Sequence, residues 1–161
     1  MKKHILIIVI CLYSTLIFGQ NNLPKVQLKS LNGEFVDLEN IVKKDQVLVI
    51  SLWATWCVPC INELDAIHEE YLDWQEETNF KLIAISIDNA RTSSRVKPLV
   101  NGKEWDYEIL LDINQDFKRA LNATTVPYLV IVKNNKIVYS HSGYTPGSEI
   151  ELYEKIKELA L

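Results

Sequence analysis

Cysteine is scarce in this chain: 161 residues contain three, Cys11, Cys57 and Cys60. Glycine and proline are also few, at five each. With 48% hydrophobic and 24% charged residues, such counts exclude a collagen-like or low-complexity chain and fit one ordinary globular domain. No repeat or linker interrupts it. Basic residues are in the minority, 17 against 21 acidic ones. No basic stripe offsets this, so the electrostatic footprint of a nucleic-acid binder is missing.

Charge is absent altogether from Ile5 to Phe18, the one long apolar run. It follows the basic start Met1-Lys2-Lys3-His4 and precedes the small Gly19. That is the layout of a secretory signal peptide, and the run is short for a membrane span. Residues 1–19 are therefore expected to be a signal peptide and 20–161 the mature domain of an exported protein. Ile17 is an imperfect residue before the cut, so an uncleaved membrane anchor is the alternative. Without Lys2 and Lys3, fifteen basic residues face 21 acidic ones, a net charge of −6. Cys11 falls inside the apolar run after Val9-Ile10, where lipidation would want small residues, and reads as one more apolar residue. The mature chain then keeps two cysteines in a C-x-x-C spacing. Two cysteines build neither a disulfide framework nor a four-ligand zinc site.

In the mature chain, alternating runs Val26–Lys29 and Phe35–Leu38 flank Asn32-Gly33, a hairpin signal. Glu39–Lys44 is expected to form a short helix. Val47–Leu52 is continuously apolar, like a strand buried on both faces. An amphipathic helix over Asn62–Glu77 and a second apolar run over Phe80–Ile87 complete a βαβ unit. A weaker helix is expected over Arg91–Val100, continuing past Pro98 with difficulty, then a strand over Tyr107–Leu111. A helix over Asp112–Leu121, capped by Asp112 or Asn114, follows. Strands Tyr128–Val132 and Lys136–His141 flank an Asn134-Asn135 turn, and Ser148–Leu161 reads as a closing helix.

Cys57-Val58-Pro59-Cys60 stands where a buried strand ends and a helix begins. There Cys57 occupies the N-cap region, and free backbone N–H groups with the helix dipole favour thiolate over thiol. Such settings lower a cysteine pKa into a range of about 3.5–7.5. Cys60, one turn on, shares the face and can bridge to Cys57. Pro59 is tolerated in a first turn, where its missing N–H has no helical partner. A merely structural disulfide would close only a tiny loop and contribute little.

Trp-Cys-x-x-Cys after Val-Leu-Val-Ile-Ser-Leu-Trp-Ala, with Thr124-Thr125-Val126-Pro127-Tyr128 far downstream, resembles the thioredoxin superfamily. The N-terminal hairpin and the extra helix and strand before Pro127 make the mature chain most similar to the exported TlpA/ResA-like thiol–disulfide oxidoreductases. The resemblance implies an α/β, thioredoxin-like three-layer α/β/α fold, its central mixed sheet carrying the hairpin and a central helix–strand insertion. It implies that Cys57 is the exposed attacking thiolate and Cys60 the buried resolving cysteine. Pro127 matches the family's cis-proline; an ordinary trans-proline starting an edge strand is the alternative. Val126 would pair with a bound substrate chain, and Trp56, Val58, Pro59 and Gly143 would line the surface it meets, although Gly143 could be a plain turn glycine. Glu63, three residues after Cys60, matches a family glutamate able to move protons, or is one more acid on an acidic helix.

Two departures stand out. Plain thioredoxins carry a buried aspartate where this chain has Ser51, which cannot act as a base near neutral pH. The family's proline after the glutamate is also missing, with Asp65 close by, which puts the usual helix kink in doubt. A copper site built from Cys57, Cys60 and one of the two mature-chain histidines is conceivable, but His68 lies about two helical turns from Cys60, too far for one ion, and His141 could approach only through the fold. Trp53 reads as packing, and Glu69-Glu70 and Glu76-Glu77 as a solvated helix face.

The expected function is exchange of dithiol for disulfide with protein substrates, in the reducing direction, by a monomer without cofactor or metal. Electrons would come from a membrane donor protein. The resemblance suggests cytochrome c maturation or envelope thiol repair. A disulfide oxidant or isomerase, and a metal- or haem-handling protein using the same sulfurs, are the alternatives.

Overall fold

The computed structural model describes residues 22–160. The expected signal segment 1–19, Cys11 included, lies outside them. The hairpin is β1 (Gln27–Ser30) and β2 (Phe35–Asp37). Its turn uses Gly33 at φ +88°, and Ser30 Oγ accepts the Asn32 and Glu34 amides. A 3-10 turn over Leu38–Asn40 stands where a helix over Glu39–Lys44 was expected. Leu38 is wholly buried, so the turn serves to plug one apolar side chain into the core.

β3 (Leu48–Trp53) is buried along its whole length, as its unbroken apolar run requires. α1 (Val58–Thr78) follows as one uninterrupted helix, ending on Asn79 in the left-handed conformation. β4 (Lys81–Ser86) runs parallel to β3. The central insertion is α2 (Val96–Lys103) and β5 (Glu108–Leu111). α2 starts five residues later than expected, after a 3-10 turn over Ser93–Arg95. Pro98 is thereby its third residue, where no i−4 partner exists for the missing N–H. α3 (Asp116–Ala120) is shorter than the expected 112–121 helix and caps on neither Asp112 nor Asn114. Buried Asp112 instead accepts the Lys118 amide through Oδ2, and Gln115 takes the N-cap in a left-handed conformation.

β6 (Tyr128–Lys133) and β7 (Lys136–Ser142) are joined through Asn134 and Asn135, both at positive φ, as a tight hairpin needs. α4 (Ser148–Ala160) closes the chain. The seven strands lie in the order β2-β1-β5-β4-β3-β6-β7, parallel across β3, β4 and β5 and antiparallel elsewhere. α1 and α4 share one face, locked by the stacked Trp74 and Tyr153 rings at 4.6 Å. Leu48, Ile50 and Leu52 are equally buried on the other, completing the three-layer α/β/α thioredoxin-like fold.

Candidate redox site

Register brings three separated segments to one edge of the sheet. Leu52 pairs with Tyr128, so the end of β3 leading to Cys57 lies beside the start of β6, just after Pro127. Tyr128 in turn pairs with Ser142, which puts Gly143 at the same end. The Val126–Pro127 peptide is cis, and the Pro127 carbonyl accepts the Gly143 amide at 2.9 Å. Gly143 has φ +86°, a conformation costly to other residues. Val126 is half-buried and packs against the core.

Cys57 is the N-cap of α1, its amide bonded to the Ala54 carbonyl at 3.0 Å. Its Sγ accepts the Cys60 amide at 3.3 Å, so the sulfur takes one of the donors that a helix start leaves free. The two cysteines form a disulfide, with Cα atoms 5.3 Å apart. Cys60 is wholly buried. Cys57, expected to be exposed, is 5% accessible. The reason lies beside it: Trp56 and Val58 stand out at 57% and 66% exposure and leave the bridged sulfur at the bottom of an apolar rim. Pro59 occupies the first turn of α1.

Glu63, one turn beyond Cys60, is 5% exposed. Its Oε2 accepts the Ser51 hydroxyl at 2.9 Å. Ser51 therefore occupies the place of a buried acid but works as a donor to one. Burial pushes the Glu63 carboxyl up to about 7, the Ser51 hydrogen bond opposing the rise. Such a group takes and gives a proton near neutral pH.

Two acids that the sequence pattern does not single out hold the site together. Asp88, fully buried after β4, accepts the Thr55 amide at 2.8 Å, the Thr55 hydroxyl at 2.7 Å and the Ser86 hydroxyl at 2.8 Å. This pins the loop leading into Cys57. Asp65 reaches from α1 to the insertion, pairing with Lys103 Nζ at 2.5 Å and Trp105 Nε1 at 3.0 Å. Trp105 packs edge-on against Trp53, the last residue of β3, with ring centroids 5.2 Å apart. Both acids act over more than thirty residues of sequence, beyond any local motif. His68 is half-buried edge-on to Tyr107 at 6.2 Å, while His141 is exposed on β7. Among the described residues no helix is long and apolar enough to cross a membrane.

Comparison with known proteins bears on this geometry. The sequence model of the Redoxin family matches residues 19–156. An uncharacterized thioredoxin-like protein from Porphyromonas gingivalis, solved in solution, is 49% identical, with a TM-score of 0.76 over 86% of this chain and 91% of the other. The thioredoxin-like protein YneN of Bacillus subtilis is 27% identical over 80% of this chain and 74% of its own. The thiol-disulfide oxidoreductase ResA of Bacillus thuringiensis is 25% identical, covering 82% and 74%.

Proposed function

This chain is a thiol–disulfide oxidoreductase of the Redoxin family, and from that premise we propose that it reduces disulfides of exported proteins through Cys57 and Cys60. The observation carrying this reading is a sulfur at the N-cap of α1, accepting the amide of its own bridging partner, with a buried carboxyl one turn beyond. In the reduced protein the Cys57 thiolate attacks a substrate disulfide. One substrate sulfur leaves with its electron pair and the other joins Cys57 in a mixed disulfide. Cys60 then attacks Cys57, giving its proton to Glu63, and the second substrate sulfur leaves. Two electrons have passed from the dithiol to the substrate, and the Cys57–Cys60 bridge is restored.

Trp56, Val58, Pro59 and the Val126–Pro127 and Gly143 segments form the surface that receives the substrate. The Val126 backbone next to the cis-proline is free to pair with an extended chain. Export is supported by the basic start, the uncharged run Ile5–Phe18 and Gly19. The cytosolic thiol pool has no direct access to an exported reductant, so in this reading the electron donor is a membrane protein. The protein works as a monomer in the periplasm or cell envelope.

Insulin-type disulfide reduction with trapping on gels tests the roles. Cys57→Ser is expected to abolish turnover, and Cys60→Ser to accumulate mixed disulfides at Cys57. A Cys60→Ser protein turning over like the parent would refute them.

A further inference from the structure

Ser51, Leu129 and His141 form one row across the sheet, Ser51 paired with Leu129 and Leu129 with His141. Directly paired residues point to the same face. Leu129 and His141 therefore share with Ser51 the face that α1 and α4 cover. Two strand spacings, about 10 Å, separate the ends of the row. Glu63 sits on the hydroxyl at its inner end. Above Leu129, walled by Glu63, His141, Tyr139 and the α4 residues Glu149, Glu151 and Leu152, lies a cavity of about 20 Å³. One water needs roughly 10–15 Å³, so the cavity accommodates one. One wall is a buried carboxyl and another an exposed imidazole.

We propose that Glu63 exchanges its proton with bulk solvent through this cavity, with His141 as the outer member of the relay. The inference rests on the reading of Glu63 as proton acceptor in the resolving step. As Cys60 bonds to Cys57, the thiol proton moves to the Glu63 carboxylate and the substrate sulfur leaves with the electron pair. The proton then passes through one water to the His141 imidazole and on to solvent, returning Glu63 to its carboxylate for the next turnover. Imidazole both accepts and donates near neutral pH. The other titratable groups around Glu63 are Tyr139 on β7, Glu149 and Glu151 on α4, Tyr144 in the preceding loop and Tyr107 before β5. Burial holds the Tyr107 and Tyr144 hydroxyls above their usual range. Glu149 is occupied by the Gly147 amide and the Tyr144 hydroxyl.

The test is the single-turnover release of a chromogenic aromatic thiol from a mixed disulfide on Cys57 after a jump from pH 5 to pH 8 in weakly buffered solution, so that Glu63 must shed its own proton before it can take the one from Cys60. His141 is exposed, so its replacement leaves the fold intact. Glu63→Gln slows release. His141→Ala slows it roughly tenfold, less than the ~10²–10⁴ of a group that acts directly. Added imidazole restores the His141→Ala rate, and His141→Ala adds no loss in a Glu63→Gln background. A parental rate for His141→Ala, no rescue by imidazole, full additivity with Glu63→Gln, or the loss appearing in Glu151→Gln instead would each overturn the relay while leaving the role of Glu63 standing. A parental rate for Glu63→Gln removes that role, and the relay with it.

Discussion

The Ser51 hydroxyl donates to Oε2 of Glu63 across 2.9 Å, within the buried layer between β3 and α1. One strand position and one helix position thus share a single acid. The strand supplies a neutral donor, so only one negative charge has to be accommodated beside the cysteines.

That acid sets a pH dependence of folding. The Glu63 carboxyl rises from 4.5 to about 7 on folding, chiefly by burial. The native state therefore holds its proton where the unfolded chain has lost it. The contribution of Glu63 to stability is highest below pH 4.5, falls as pH rises towards 7, and is level above. At roughly 1.4 kcal/mol per unit the fall is about 3 kcal/mol. Glu63→Gln keeps an acceptor for Ser51 and cannot ionise. Urea unfolding of the oxidised proteins should show it more stable than the parent by that amount at pH 8 and equal to it at pH 4. Parallel pH profiles would contradict this.

Ser51→Asp places a second carboxyl within hydrogen-bond distance of the first. Two buried carboxyls in contact ionise in widely separated steps. The variant should lose about 3–5 kcal/mol at pH 8, the order of an unpaired buried charge, and recover most of it at pH 5. The ratio of the two losses is the readout, and equal losses would point to a steric cause.

Asp88 should be as important to the redox loop as its buried hydrogen bonds suggest. Asp88→Ala leaves the Thr55 amide and the Ser86 hydroxyl without their acceptor, at about 1–3 kcal/mol each. Although burial opposes it, hydrogen bonds from the Thr55 amide and hydroxyl and the Ser86 hydroxyl hold the Asp88 carboxyl below its usual value of 3.8. Its stabilisation is therefore present above that value and lost as pH falls through the native one. The deficit of Asp88→Ala should be full at pH 7 and shrink at strongly acid pH. A deficit independent of pH would assign the effect to packing.

Much of this was legible in the sequence because the determinants are local. The uncharged Val47–Leu52 run could only be a strand covered on both faces, and Asn134-Asn135 could only turn. Cys57, Pro59 and Cys60 occupy the positions that the grammar of a helix start assigns them. What stayed hidden depends on partners distant in sequence. Asp88 and Asp65 act across the fold, and nothing around either position marks it as more than a surface acid. Asp112 was misread as a cap for the same reason: it serves a helix amide from outside the helix. Pro98 conflicts with a helix that starts at Arg91 but fits the first turn of the one that starts at Val96. The near-burial of Cys57 follows from the rim that Trp56 and Val58 raise around it, which periodicity does not reveal.

The central claim, that Cys57 and Cys60 work as a reducing pair, is tested most directly by the equilibrium reduction potential of their disulfide. A strong oxidant owes its potential to a heavily stabilised thiolate in the reduced form. Here the intervening Val58-Pro59 brings no cation or histidine. Buried Glu63, when ionised, opposes a second negative charge nearby. The reduced form is thereby less favoured and the potential lower. Equilibration against a glutathione or dithiothreitol series should give a value nearer the roughly −270 mV of thioredoxin than the about −120 mV of a strong periplasmic oxidant, limits some 7 kcal/mol apart. A potential above about −180 mV, in the range of protein disulfide isomerase, would contradict the account and make the protein an oxidant or isomerase.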